Sequence, residues 1–579
     1  MGFKTFSEFI TFSRTTNATL VDSTGRVTYA PNNQVTHSEQ FDNAAWTKTN
    51  STITANATTA PDGTLTADKH IPNNGANIGV GASETRVFQS PAATIGVNYV
   101  YSMYAKAGEF DQIEFGAIAT PTVTAKFSLT LGTVLNGTNA VITPVGDGWY
   151  RCSFTVTAGV TGALALRWSA YSSTVSVGDG TSGIFVWGSQ FEAVTYQTTP
   201  GAYNQTVASA YYGPRFDYDP ITLAPKGFLI EEQRVNLLLR SEEISDVAWL
   251  KPNGDTVSAN TSVAPNGTTT MDTFVESAST GLHTLVQGAT ITANTSTTAS
   301  VFLKAAGRSI VKIKLSDSAD TNGVFVEVNL TTGAIATAAT SYGTGSSASA
   351  TITNFGNGVY RCTLTGTVGT GNTTATLRLR SLVTAGDSET FAGLNAAAFI
   401  VWGAQLEAGA FATSYIPTVA STVTRAADSA SITGANFSSW YNASEGTIVF
   451  SGDSVRPTGI SPATRTFQFD DGTVNENIRS GGTATLQVVD ASVTQVNITP
   501  TPAIPFDGTV FKFASAYKAN DFASVTTGAV GTDTSGTIPT VTQLSLGGGA
   551  SAGILNGHIR TFTYYPTRLT DAQLQALTL

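Results

Sequence analysis

The chain has 579 residues, a formal net charge of −10, 41% apolar residues and only 12% charged ones. That length exceeds one core, which stops growing at about 250–300 residues, so several domains are expected. The apolar fraction argues against disorder, and the negative balance argues against a nucleic-acid partner. No stretch approaches the ~20 apolar residues of a membrane helix, so no membrane insertion is expected.

Residues 1–31 form an N-terminal segment in which Phe3, Phe6, Phe9, Ile10 and Phe12 crowd together. Phe9 to Arg14 reads as one strand, followed by a turn at Asp22-Ser23-Thr24-Gly25. The segment is too small for a core of its own. It is expected to dock on the first module or on a partner. Met1 to Glu8 lacks the apolar run and small-residue cleavage site of a secretion signal.

A unit then occurs twice, at 32–200 and 236–418. Ile184 to Ala193 and Phe399 to Ala408 match at Trp, Gly, Gln, Glu and Ala, with the alternation of a half-buried strand. Gly148-Trp149-Tyr150-Arg151-Cys152 matches Gly358-Val359-Tyr360-Arg361-Cys362, and Ala60-Pro61-Asp62-Gly63-Thr64 matches Ala264-Pro265-Asn266-Gly267-Thr268. Each copy is read as closing on a Tyr and a Pro: Tyr196 and Pro200, then Tyr415 and Pro417. In the first copy, strands are predicted at Tyr99 to Ala105, Ile113 to Ile118, Lys126 to Leu131, Trp149 to Thr157, Leu164 to Ala170 and Ile184 to Phe191. Strands and Gly-rich turns without helical periodicity predict antiparallel sandwiches. Cys152 and Cys362 hold equivalent positions, which predicts two reduced, buried thiols.

Residues 201–235 form an aromatic linker, expected to be ordered and to pack on a module. The third domain spans 419–579. Strands are predicted at Gly446 to Ser451, Thr466 to Phe469, Ala484 to Val489, Val510 to Tyr517, Gln543 to Leu546 and Gly557 to Tyr564. A short helix capped by Thr570 ends the chain.

Asn236-Leu237-Leu238-Leu239 with Ser241-Glu242 and Trp249, the Gly-x-Tyr-Arg-Cys strand, and the Trp-Gly-Ala-Gln-Leu-Glu strand ending at Tyr415-Ile416-Pro417-Thr418 resemble modules of bacteriophage head-fibre, head-spike and tail-fibre proteins. So do Phe12-Ser13-Arg14-Thr15-Thr16-Asn17-Ala18-Thr19, Arg215-Phe216-Asp217-Tyr218-Asp219-Pro220, and Gly227-Phe228-Leu229-Ile230-Glu231-Glu232-Gln233-Arg234. Such modules are similar to carbohydrate-binding jelly rolls. The third domain resembles concanavalin-A/laminin-G-like lectin domains through Phe469-Asp470-Asp471-Gly472-Thr473, Ala516-Tyr517-Lys518-Ala519-Asn520 and Leu555-Asn556-Gly557-His558-Ile559-Arg560. In the first module Val35-Thr36-His37 departs from the Leu run. The resemblance implies tandem jelly-roll-like sandwiches with a C-terminal lectin-like sandwich, all-β throughout. It implies a virion-surface protein, made in the host cytoplasm, that binds host-surface glycans.

Catalytic candidates are weak. Gly549-Ala550-Ser551-Ala552-Gly553 matches a nucleophile elbow, but a strand rather than a helix follows it. Glu192 and Glu407 recur as single acids, whereas glycosidases use a pair ~5–9.5 Å apart. His37, His70, His283 and His558 are scattered, without metal-ligand spacing. Asp317, Asp320, Asn322 and Gly323 read as a turn rather than a calcium loop. No cofactor and no catalytic residue is assigned. Asp470, Asp471, Asn475 and Asn477 are the candidates for calcium. Trp168, Tyr171, Trp440 and Tyr441, unmatched between the copies, are the candidates for sugar stacking. The expected function is non-enzymatic, multivalent attachment to glycans. The alternatives are a purely structural connector and a glycan-degrading enzyme with accessory modules. A homo-oligomer, by the resemblance a trimer, is expected, anchored to other virion proteins by the aromatic N-terminal segment with the C-terminal domain outward.

Overall fold

Ile184–Val194 and Ala397–Ala408, expected to bury one face, are buried on both faces almost throughout, because each lies inside a six-stranded sheet and packs a second apolar cluster on its other side. The structure, a computed structural model, describes residues 6–79, 84–118, 122–455, 464–482, 484–549 and 553–579. Within them the chain is all-β, antiparallel strands in sandwiches with only short helices. It divides into two compact units, residues 28–213, and residues up to 27 together with 214–579.

The 28–213 unit is one sandwich. Its first sheet runs Ala140–Gly146, Trp149–Thr157, Asn98–Ala107, Ile184–Val194, Ala67–Pro72, Ser51–Thr58. Its second runs Thr133–Asn136, Val123–Ser128, Gln112–Ile118, Ala165–Tyr171, Arg86–Gln89, Thr47–Thr49. Between them lies a core that includes Trp46, Tyr101, Phe115, Phe127, Phe154 and Trp168. The strand expected at Lys126 to Leu131 is Val123–Ser128. The chain turns after Ser128, where Gly132 donates its N–H back to the Ser128 carbonyl.

The second copy repeats this order. One sheet runs Ser346–Asn354, Val359–Thr367, Thr297–Ala305, Ala397–Ala408, Met271–Val275, Thr256–Ser262. The other runs Ala334–Tyr342, Gly323–Asn329, Ile310–Ser316, Thr374–Leu382, Thr284–Thr290. Trp187 and Trp402 hold the same place in the same strand. The closing Tyr is corrected by the structure. Tyr415 shares a hydrogen bond with Ser241 and donates to Glu242, and in the first copy Tyr203, not Tyr196, does the same with Ser38 and Glu39.

The C-terminal sandwich packs two seven-stranded sheets around Phe450, Phe467, Phe469 and Phe513. Two of its parts come from far away in sequence. Thr11–Ser13 is the edge strand beside Ser429–Thr433. Arg215–Tyr218 and Pro225–Ile230 extend the other sheet by pairing with Gly557–Tyr565. This corrects two expectations. The N-terminal segment is divided: Phe6, Phe9, Ile10 and Phe12 pack on the C-terminal core of their own chain, while Tyr29 packs on the core of the first sandwich. Phe6 meets Phe216 and Phe228 edge-on, each at 5.1 Å between centroids. A C-terminal domain remote from this segment is therefore not what the chain builds. Phe3 lies outside the described residues. From Arg215 onward the linker is sheet, not connector.

Candidate functional site

The repeated Trp-Gly-x-Gln motif encodes a β-bulge. The pairing slips between Ser102 and Tyr104 in one copy and between Ser300 and Phe302 in the other. Gly188 and Gly403 sit there at φ +60° and +61°, a left-handed conformation that glycine adopts at no steric cost. Gln190 and Gln405 then accept the N–H groups of Asn204 and Ile416. The recurring Glu does similar work: Glu192 accepts from the Gly201 N–H, and Glu407 from the Thr413 N–H and hydroxyl. Both carboxylates hold the module's closing segment.

Three of the motifs that carry the phage resemblance converge with Arg425 and Asp428 in one buried ionic node. Asp428 receives Arg14 at 2.9 Å on Oδ1, and Arg215 together with the Glu231 N–H on Oδ2. Glu231 receives Arg215 at 2.6 Å, Arg425 at 3.2 Å and both donors of Ser414. Arg14, Arg215 and Arg425 each also donate to a backbone carbonyl, of Thr16, Thr19 and Glu232 respectively. Burial pulls the Arg14 pKa down to about 10. Burial also opposes charge on Glu231, but Arg425 and Arg215 outweigh it and hold the carboxyl far below its ordinary range.

Beside the node opens a cleft of about 330 Å³, lined by Asp217, Lys226, Arg361, Phe411 and His558 among others. His558 is clamped between two carboxylates, Nδ1 at 2.8 Å from Asp453 and Nε2 at 3.0 Å from Asp217. Burial disfavours its charge, yet the bonds to Asp217 and Asp453 prevail and raise its pKa. With both nitrogens facing carboxylates, the ring is braced from two sides, and that arrangement favours its charged form.

The other candidates are dispersed. Asp470 accepts from Gln468, Gln543 and the Gly472 N–H, Asp471 from Thr473, while the Asn477 amide donates to the Val474 carbonyl. Asn475 is exposed, and the Asp470 and Asp471 carboxylates are taken up by these local donors. Among the described residues no group of three His, Cys, Asp or Glu is arranged to hold a metal. Asp317 caps its own turn through Thr321 and Asn322. His70 is buried against Trp168 and His283 pairs with Asp255. Ala550, Ser551 and Ala552 lie outside the described residues, so the elbow reading does too. Cys152 and Cys362 are free and buried, and burial pushes both thiols up.

Of the four stacking candidates, burial excludes one, while Tyr171, Trp440 and Tyr441 are half-buried. Trp168 is fully buried between Phe41 and His70 and offers no ring face to a sugar. Trp440 and Tyr441 pack into the aromatic cluster of Phe437, Phe469 and Tyr564. Tyr171 is half-buried, with the Lys126 ammonium 3.7 Å from its ring centre.

The face that sequence reading missed is the outward side of the five-stranded sheet in the second module. A groove of about 400 Å³ runs over it, lined by Gly288, Thr374, Thr376, Ser318 and Arg378 among others. Next to it stand Lys312, Lys314 and Arg380, paired with Asp320, Glu327 and Glu389. Burial opposes the charge on Asp320, but Lys314, Tyr342 and Arg380 bring its pKa down to about 2. The ammonium groups of Lys312 and Lys314 lie 4.2 Å and 4.7 Å from the rings of Phe325 and Tyr342.

No protein-family model matches the sequence, and no curated protein matches it. Solved structures with some likeness include the CBM22-1–CBM22-2 tandem domain of Paenibacillus barcinonensis Xyn10C, at 10% identity and TM-score 0.20, covering 66% of this chain and 98% of that one. Domains LG4–5 of the mouse laminin α1 chain match at 9% and 0.19, covering 51% and 88%. The LG1–3 region of the laminin α2 chain matches at 10% and 0.16, covering 86% and 97%. Such scores are too low to bear on function, and the fold stands on the chain's own strands.

Proposed function

We propose that this protein is a non-enzymatic fibre or spike of a phage virion, on the head or tail, that holds host-surface glycans through its sandwich domains. The observation that carries the glycan part is the groove on the outward face of the second module. Its small residues leave room for a saccharide, and charged side chains held in place by partners supply donors and acceptors for hydroxyl groups. The virion part rests on the resemblance. The motifs behind it furnish Arg14, Arg215 and Glu231, so they are bound up with the architecture itself. Copies of the chain on one particle, a trimer by the same resemblance, would turn weak sites into firm attachment by avidity.

The test is retention of the purified full chain on a glycan array, with reducing-sugar release measured on the same glycans. Retention without release is expected. Release would replace this reading with a glycan-degrading enzyme, and no retention on any glycan would replace it with a structural connector.

A further inference from the structure

Register makes the outward face of the second module unusual. Strands Ile310–Ser316 and Thr374–Leu382 set Lys312 opposite Arg380 and Lys314 opposite Arg378. Their neighbours Val311, Ile313, Leu377 and Leu379 point into the core, so the four cations share the other face. Like charges directly opposite repel, and this arrangement places two such pairs side by side. The first module does not do this: Glu114 pairs with Ser169, and Gly116 with Arg167, at the corresponding places.

Three acids compensate, and they are not equivalent. Asp320 also accepts from the Tyr342 hydroxyl at 2.7 Å. Glu327 also accepts from the Thr337 hydroxyl and the Gly386 N–H. Both are fixed by neutral donors as well as by cations. Glu389 follows the exposed run 383–388, and among the described residues its carboxylate is held by cations alone: Lys312 at 2.9 Å, Lys314 at 3.9 Å, and Arg380. With Glu389 in place, four cations face three acids. Without it the face carries a net charge of +2.

We infer that this face binds acidic saccharides, and that Glu389 occupies the place of the ligand's carboxylate until a ligand displaces it. The inference rests on the glycan-binding reading and names its ligand class. A uronate carboxylate would take the position between Lys312, Lys314 and Arg380, where one guanidinium nitrogen and two ammonium groups already hold a carboxylate, the other guanidinium nitrogen being held by Asp320. The sugar chain would continue past Arg378 into the groove floored by Gly288 and Thr376. A β-carbon on Gly288 would stand 3.2 Å from the Thr376 hydroxyl, so glycine keeps that floor open. Glu389 is then an internal competitor, and it weakens apparent affinity by the fraction of time it occupies the site.

The experiment compares binding of the full chain to polygalacturonate, to its fully methyl-esterified form and to poly-L-glutamate. Polygalacturonate should bind best, by about tenfold or more, and the binding should weaken with added salt. Glu389→Gln and Glu389→Ala should each tighten it by at least about threefold. Lys314→Gln and Arg380→Gln should weaken it, with circular dichroism checking that each variant is folded. Equal binding of the methyl ester, or no gain from either Glu389 variant, overturns the inference while leaving the glycan reading intact. Equal binding of poly-L-glutamate overturns it in favour of an acidic peptide. Binding to none of these, nor to any array glycan, removes both.

Discussion

At the scale of single residues, the two bulge glycines and His558 do the most with the least. A β-carbon on Gly403 would lie 2.8 Å from the Phe302 ring, at a φ that side chains avoid. Gly403→Ala should therefore cost about 2 kcal/mol. Gly371→Ala, also at positive φ but with open space around it, should cost only about 1 kcal/mol. Equal denaturation midpoints for the two variants would contradict this. His558 has a folded pKa above its ordinary 6.5, so its charge stabilises the fold fully below that pH, and the effect fades as pH rises through the folded value. The stability gap between wild type and His558→Gln should shrink as the pH climbs past 6.5, and a pH-independent gap would contradict the clamp. The repeated glycine was legible in the sequence. The imidazole clamp was not, since Asp217, Asp453 and His558 come from three distant segments. Trp168 misled because a residue unmatched between repeats can still face the core.

At the scale of elements, alternation and turn chemistry located most strands, because each buries one face locally. Partner choice was hidden. Nothing in Phe9 to Arg14 says that it will lie beside Ser429–Thr433, nor that the linker will become sheet. The outward face of the second module was equally hidden, since Lys312, Lys314, Arg378 and Arg380 read as ordinary polar positions until register sets them opposite one another. The ionic node joins these distant strands. Asp428→Ala would leave Arg14 and Arg215 buried and short of their anion, and should destabilise by about 3–5 kcal/mol. Denaturation followed by tryptophan fluorescence would show the loss, and an unchanged profile would mean the node contributes nothing.

At the scale of the molecule, the repeat and the third domain could be read from sequence, but the self-sufficient pieces are drawn elsewhere. The core of the first sandwich is built from residues within 28–213. A fragment of those residues should fold alone, with a cooperative transition and buried Cys152. A fragment of 419–579 should not, because it lacks the strands at 11–13 and 215–230 and the partners Arg14, Arg215 and Glu231. A cooperative melt of that fragment would contradict the shared architecture.

The same interweaving sets a schedule for the ribosome. Arg14 and its partner Asp428 are 414 residues apart, so at ~5–20 residues per second the aromatic start of the chain waits roughly 20–80 s for its partner to be made. Until the strands that cover them are made, Phe6, Phe9, Ile10 and Phe12 lack the complete core they pack on in the folded chain, which leaves them open to capture by any apolar surface nearby, including other nascent copies. Slow translation or dense polysomes should therefore be the conditions under which this protein aggregates, and a chaperone that shields the nascent N-terminus should matter more for its yield than one that acts after release.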